Sequence, residues 1–190
     1  MYRNPVERLF SAYRAKVMRF PLQGLKRMSR FNWLRMDIYK YKHPELYREW
    51  YLEKGRRPVN ISFTDFVDFY LDKKALRFNE HFRTIYDLCQ PCHVRYNYYG
   101  NFKTFTTDVE ALIEHIGTNS SLLRQGYYQE GSETSDLAPQ YYSLLPNNKK
   151  IGIIKKLALD LSFYYTLFPS ERDSHKVIMG IDYDVPSVFN

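Results

Sequence analysis

Apolar positions along the chain fall into helical runs separated by polar stretches and by glycine and proline. The first run is Val6, Leu9, Phe10, Tyr13 and Val17, a spacing that turns one face of a helix over roughly residues 4–20 inward. Asn4 is a good N-cap, Pro5 suits the first helical position, Glu7 completes an Asn-x-x-Glu capping box, and Pro21 and Gly24 end the run. Ser62 caps a second helix with Asp65 in its box, burying Phe63, Phe66, Val67, Tyr70 and Leu71. Thr107 and Glu110 open a third, with Val109, Leu112, Ile113 and Ile116 as its stripe and Gly117 as its stop. A last helix spans about Lys149 to Tyr165, with Ile151, Ile154, Leu157, Ala158 and Leu161 inward.

The stretches between are less regular. Residues 24–60 are basic, aromatic and poorly periodic, and read as short helices and loops with Gly55 and Pro58 as breakers. Val94-Arg95-Tyr96-Asn97-Tyr98 alternates like a strand. Residues 118–148 are polar and turn-rich and read as an exposed, mobile loop; the tail after Pro169 commits to no element.

Composition narrows the classes. A chain of 190 residues fits one domain with a real core. Apolar residues at 44% and charged residues at 26% exclude a disordered tail and a membrane bundle. With 18 Tyr and 13 Phe, the chain has apolar area with polar tips, useful in a core and against sugar faces. A net charge of +7 favours an anionic partner, without choosing among nucleic acid, an acidic membrane surface, a polyanionic glycan and a nucleotide. There is no long apolar run of membrane-spanning type and no signal-peptide core. Two sequons, at Asn60 and Asn119, are compatible with a lumenal glycoprotein.

Two segments carry candidate chemistry. Arg3 supplies a forked, permanently charged donor just before a helix start, and Ser11 a hydroxyl two turns in. Free N–H groups and the helix dipole would add to the attraction for an anion. An ordinary capped helix with solvated Arg8 and Arg14 explains the same residues without a ligand. The other segment, Cys89-Gln90-Pro91-Cys92-His93, admits a haem-attachment, a redox or a zinc reading, the last with a distant fourth ligand such as His81.

Residues 2–16, Tyr-Arg-Asn-Pro-Val-Glu-Arg-Leu-Phe-Ser-Ala-Tyr-Arg-Ala-Lys, resemble the 3′-phosphate-binding motif of the Golgi carbohydrate sulfotransferases, in the branch acting on chondroitin, dermatan, N-acetylgalactosamine and HNK-1-type glycans. Val6 stands where that motif usually has phenylalanine. The segments Asn79-Glu80-His81-Phe82, Cys89-Gln90-Pro91-Cys92 and Tyr96-Asn97-Tyr98-Tyr99-Gly100-Asn101-Phe102-Lys103-Thr104 follow the family order. Phe82, Asn97 and Lys103 replace the usual tryptophan, aspartate and glutamate, while Asp108 and Asp160 fit acidic positions of the pattern.

The resemblance implies an α/β, P-loop-like sulfotransferase sandwich, here truncated to its mainly helical C-terminal half over residues 1–168, with 169–190 as a tail. It implies sulfate transfer from 3′-phosphoadenosine 5′-phosphosulfate to a glycan hydroxyl, with no metal and no nucleic acid, on the lumenal face of the Golgi membrane. Arg3 and Ser11 would hold the 3′-phosphate, His81 or Glu80 would serve as base, and Cys89 and Cys92 would form a structural disulfide. The family's 5′-phosphosulfate loop and membrane anchor are expected upstream of this motif, so this chain alone is expected not to turn over. Losing one preorganised donor already costs about 100- to 1000-fold in rate. The alternative is a non-catalytic basic module that binds sulfated glycans or nucleic acid.

Overall fold

Asn4 starts the first helix as its residue type predicts. Its Oδ1 accepts from the Val6 N–H at 2.9 Å and the Glu7 N–H at 3.4 Å, and Pro5 opens α1 (Pro5–Tyr13). The computed structural model describes residues 1–18, 30–52, 60–72, 80–118 and 134–186. After α1 the chain widens into a π-helical turn, Arg14–Met18. Then come α2 (Arg30–Lys42), α3 (Pro44–Leu52), α4 (Phe63–Asp72), α5 (Ile85–Cys89), α6 (Phe105–Ile116), α7 (Thr134–Ser143), α8 (Asn147–Lys156), α9 (Ala158–Leu167) and α10 (Ser174–Met179). Among the described residues there is no β-strand. The one isolated bridge there is parallel, Tyr2 with Asn101. The mainly helical character therefore agrees with expectation, while nothing among the described residues displays a sheet. No helix among the described residues is long and apolar enough to cross a membrane.

The expected inner face of α1 is buried throughout: Val6, Leu9, Phe10, Tyr13 and Val17. It packs on α7, α9 and α10. The second capping box also forms: Ser62 Oγ accepts from the Asp65 N–H at 3.1 Å, and the Ser62 N–H donates to Asp65 Oδ2 at 3.3 Å. From that start α4 sends Phe63 and Phe66 against α1. Phe63 meets the Phe10 ring edge-on at 5.6 Å and the Tyr142 ring edge-on at 5.1 Å. The buried tyrosines keep their hydroxyls satisfied: Tyr13 donates to the Ile61 carbonyl at 2.8 Å and Tyr142 to the Val6 carbonyl at 3.0 Å. Asp68 of α4 receives Lys42 of α2 and Lys149 of α8, tying three helices together. Gly152 lets α8 approach α4, since a Cβ there would lie 3.1 Å from Leu71 Cδ1.

Several expected boundaries shift. Residues 134–143, expected as loop, form α7, because Ala138 and Tyr142 are buried deeply enough to hold a helix despite Pro139. The last helix divides at Leu157, whose φ of −99° and ψ of 9° bend the chain between α8 and α9. The third helix starts at Phe105 rather than Thr107, with Thr104 Oγ1 reaching Asp108 Oδ2 at 3.0 Å; its expected stripe buries only Ile113, and Ile116 is exposed. Gly117 does end it in the left-handed region, at φ 67°. Residues 94–98 form no strand: they are exposed, and Tyr96 and Tyr98 direct their hydroxyls to the carbonyls of Cys89 and Asp108. The tail is structured, with a 3-10 turn at Pro169–Glu171 and then α10.

Because Phe63 joins α1, α4 and α7, Phe63→Ala is expected to cost about 3–5 kcal/mol. Urea unfolding followed by tyrosine fluorescence measures this; a cost below about 1 kcal/mol would mean the three helices do not share one core.

Candidate functional site

The parallel bridge fixes Arg3. The Tyr2 N–H donates to the Gly100 carbonyl at 2.6 Å, and the Phe102 N–H donates to the Tyr2 carbonyl at 2.7 Å. Tyr2 is buried against the rings of Phe163 and Tyr164. Arg3 must then lie over residue 102, and its guanidinium sits 4.9 Å from the centre of the Phe102 ring. Its Nε donates to Glu7 Oε2 at 3.5 Å. Burial lowers the Arg3 guanidinium from its ordinary value, and Glu7 pulls it back up. The Asn101 turn beside it is held by Asp108, whose Oδ2 accepts the Asn101 N–H at 2.5 Å.

Glu7 and Ser11 are four residues apart on α1 and so share a face. With Arg3 bonded to Glu7, the three form a row along the helix, in which Glu7 separates the charge at one end from the half-buried hydroxyl at the other. One part of the anion expectation changes. The first-turn N–H groups are not free: Val6 and Glu7 donate to Asn4 Oδ1, and the Arg8 N–H donates to the Asn4 carbonyl at 2.9 Å. An anion here would be held by side chains and by the helix dipole, not by backbone donors.

Arg8 and Arg14 are not the solvated charges of an ordinary amphipathic helix. Arg14 is buried and reaches Thr134 Oγ1 at 3.5 Å. Arg8 donates through Nη1 to the Arg83 carbonyl at 2.6 Å and through Nη2 to the Glu80 carbonyl at 3.2 Å. This draws the Glu80–Arg83 turn onto α1. Asp160, fully buried on α9, secures the other end of that turn: its two oxygens accept the N–H groups of Ile85 at 2.7 Å and Tyr86 at 2.8 Å. Burial raises the Asp160 carboxyl, and the two backbone donors hold it down.

His81 thereby comes near α1 and the π turn. Its imidazole is shifted down from the usual 6.5, first by burial, then by the Lys16 charge and more weakly by Arg8, with Glu80 opposing. Glu80 Oε1 lies 3.8 Å from His81 Nε2, and the Glu80 side chain is mostly exposed. A half-buried imidazole held neutral beside two cations can accept a proton from a hydroxyl. No local sequence pattern marks Arg8 for its role, because its partners are backbone carbonyls more than seventy residues on.

The other expected residues fall as follows. Cys89 and Cys92 are free thiols, not the implied disulfide. Cys89 closes α5, Gln90 turns left-handed at φ 46°, and Cys92 is exposed. Among the described residues no group of His, Cys, Asp and Glu could hold a metal ion. Asn60 is exposed, and Asn119 lies outside the described residues.

The profile of the Sulfotransferase family matches residues 1–166. Carbohydrate sulfotransferase 14 of Danio rerio is 27% identical over 166 residues, which is 85% of this chain and 41% of the relative. Carbohydrate sulfotransferase 11 of Mus musculus is 27% identical over 170 residues, 87% of this chain and 46% of the relative. Carbohydrate sulfotransferase 12 of Mus musculus is 31% identical over 123 residues, 63% and 28% respectively. The chain spans less than half the length of these curated relatives. No solved structure matches it significantly. The family match does not favour a basic binding module.

Two outcomes are expected. In an NMR pH titration, His81 should titrate below 6.5, and Lys16→Met should move it upward by removing a like charge; an unmoved imidazole would separate Lys16 from it. Asp160→Asn, which leaves one buried N–H facing an amide donor, should cost about 1–3 kcal/mol in thermal unfolding; a neutral result would contradict the cap.

Proposed function

Because the chain belongs to the sulfotransferase family, we propose that it carries the 3′-phosphate-binding and acceptor-activating part of a carbohydrate sulfotransferase. The donor, 3′-phosphoadenosine 5′-phosphosulfate, supplies the sulfuryl group, and a glycan hydroxyl receives it. The observation that carries the reading is the pair of hydrogen bonds from Arg8 to the carbonyls of Glu80 and Arg83. They join the helix that bears Arg3 and Ser11 to the turn that bears His81, the two motifs this chemistry needs side by side.

Roles follow from the side chains. Arg3 presents a fork with fixed geometry, oriented by Glu7 and Phe102, to a dianionic phosphate. Ser11 adds one hydroxyl donor. His81, kept neutral by burial and by Lys16 and Arg8, takes the proton of the acceptor hydroxyl as the oxygen attacks. Glu80 faces the imidazole and favours the charged form that results. Sulfuryl transfer, like phosphoryl transfer, gains most from in-line positioning and from stabilising spreading negative charge. The cations around this turn serve the second need. We place the activity on the lumenal side of the Golgi, where the exposed Asn60 would be open to glycosylation, with a glycan hydroxyl as acceptor.

Isothermal titration with adenosine 3′,5′-bisphosphate tests the assignment. The chain should bind it, and Arg3→Ala should weaken binding about tenfold or more, the loss of a charge-assisted contact. Ser11→Ala should weaken it by a smaller factor. Unchanged affinity in both variants would remove the two residues from the phosphate site.

A further inference from the structure

The segment after the matched family range, which ends at residue 166, reaches back to the start of α1. Asn4 Nδ2 donates to Ser174 Oγ at 2.7 Å. Next to Ser174 in the chain, His175 places its Nδ1 2.6 Å from the Tyr165 hydroxyl, which also accepts the His175 backbone N–H at 3.4 Å. His175 is fully buried, and its Nε2 lies 2.9 Å from the Tyr183 carbonyl, where it donates. With that proton on Nε2, Nδ1 is an acceptor, so the Tyr165 hydroxyl donates to it. These bonds hold Tyr183, His175 and Tyr165 together beside Ser174, which carries the contact on to Asn4. The same segment touches the other flank of Arg3: Glu171 Oε2 pairs with Lys103 Nζ at 2.6 Å, and Lys103 follows the Phe102 ring on which Arg3 rests.

We propose that residues 169–183 are a positioning element of the anion site, acting through Ser174 on Asn4, which follows Arg3, and through Glu171 on Lys103, which follows the Phe102 ring under Arg3. An asparagine side chain can rotate its amide by half a turn. The Val6 and Glu7 N–H groups, which can only donate, select the orientation with Oδ1 towards them, and Ser174 Oγ holds the side chain there by accepting from Nδ2. That choice holds the first turn of α1, and with it the distance between Glu7 and Arg3. Burial of His175 and Met179 anchors α10 against α7, so the serine sits on a fixed base. The inference rests on the phosphate-binding reading above.

The experiment compares adenosine 3′,5′-bisphosphate with adenosine 5′-monophosphate on the unaltered chain, Ser174→Ala and Ser174→Thr, alongside amide exchange at Val6 and Glu7. Ser174→Ala should cut the preference for the bisphosphate about fivefold, the worth of one hydrogen bond, and speed exchange at both amides. Ser174→Thr, which keeps the hydroxyl, should restore both. An unaltered chain that prefers the bisphosphate, with that preference kept in Ser174→Ala, overturns this inference alone. Equal weakening of both nucleotides overturns it too, because it marks a general structural loss. Equal affinity of the unaltered chain for the two nucleotides overturns the phosphate reading, and this inference with it.

Discussion

A helix cannot begin inside a protein until its first amide hydrogens find acceptors, and here one asparagine supplies them. Asn4 closes the first turn of α1 with its oxygen and holds the C-terminal segment with its nitrogen. Everything near it inherits that geometry. The Tyr2–Asn101 bridge sets the line of approach, so Arg3 leaves the backbone over Phe102. One turn further, Arg8 leaves the opposite way and collects the Glu80–Arg83 turn. If the cap were lost, α1 would fray where two distant parts of the chain depend on it.

The electrostatics follow from that arrangement. Positive side chains are gathered, and most are given defined work. Arg3 has Glu7 and an aromatic face, Arg8 has two carbonyls, and Lys42 and Lys149 share Asp68. The imidazole of His81 meets this field at close range and is biased towards its neutral form. Asp160, the most deeply buried acid among the described residues, sits away from the row of Arg3 and Ser11 and spends both oxygens on the start of α5. An acidic position that a motif match alone would leave open between chemistry and structure thus has a structural task.

How much could be read from the sequence follows from the range of each interaction. Caps and apolar stripes are local, so the starts of α1 and α4, the buried face of α1 and the stop at Gly117 were all legible. The π turn was not, because it follows from packing of Val17 and Arg14 and not from any spacing. The helix at Thr134–Ser143 was hidden by Pro139 and by polar neighbours, although Leu137, Ala138, Tyr141 and Tyr142 carried its stripe. At the site, Arg3 and Ser11 could be named from residue type, but not the occupancy of the backbone donors between them. The roles of Arg8 and Ser174 depend on partners 72 and 170 residues away, and no periodicity reports those.

The ion pair between Lys103 and Glu171 fastens the segment after residue 166 to the turn beneath Arg3. The cation sits beside the Phe102 ring, and its carboxylate partner comes from beyond the matched range, which ends at residue 166. Reversing the sign of either residue while its companion stays would set like charges face to face.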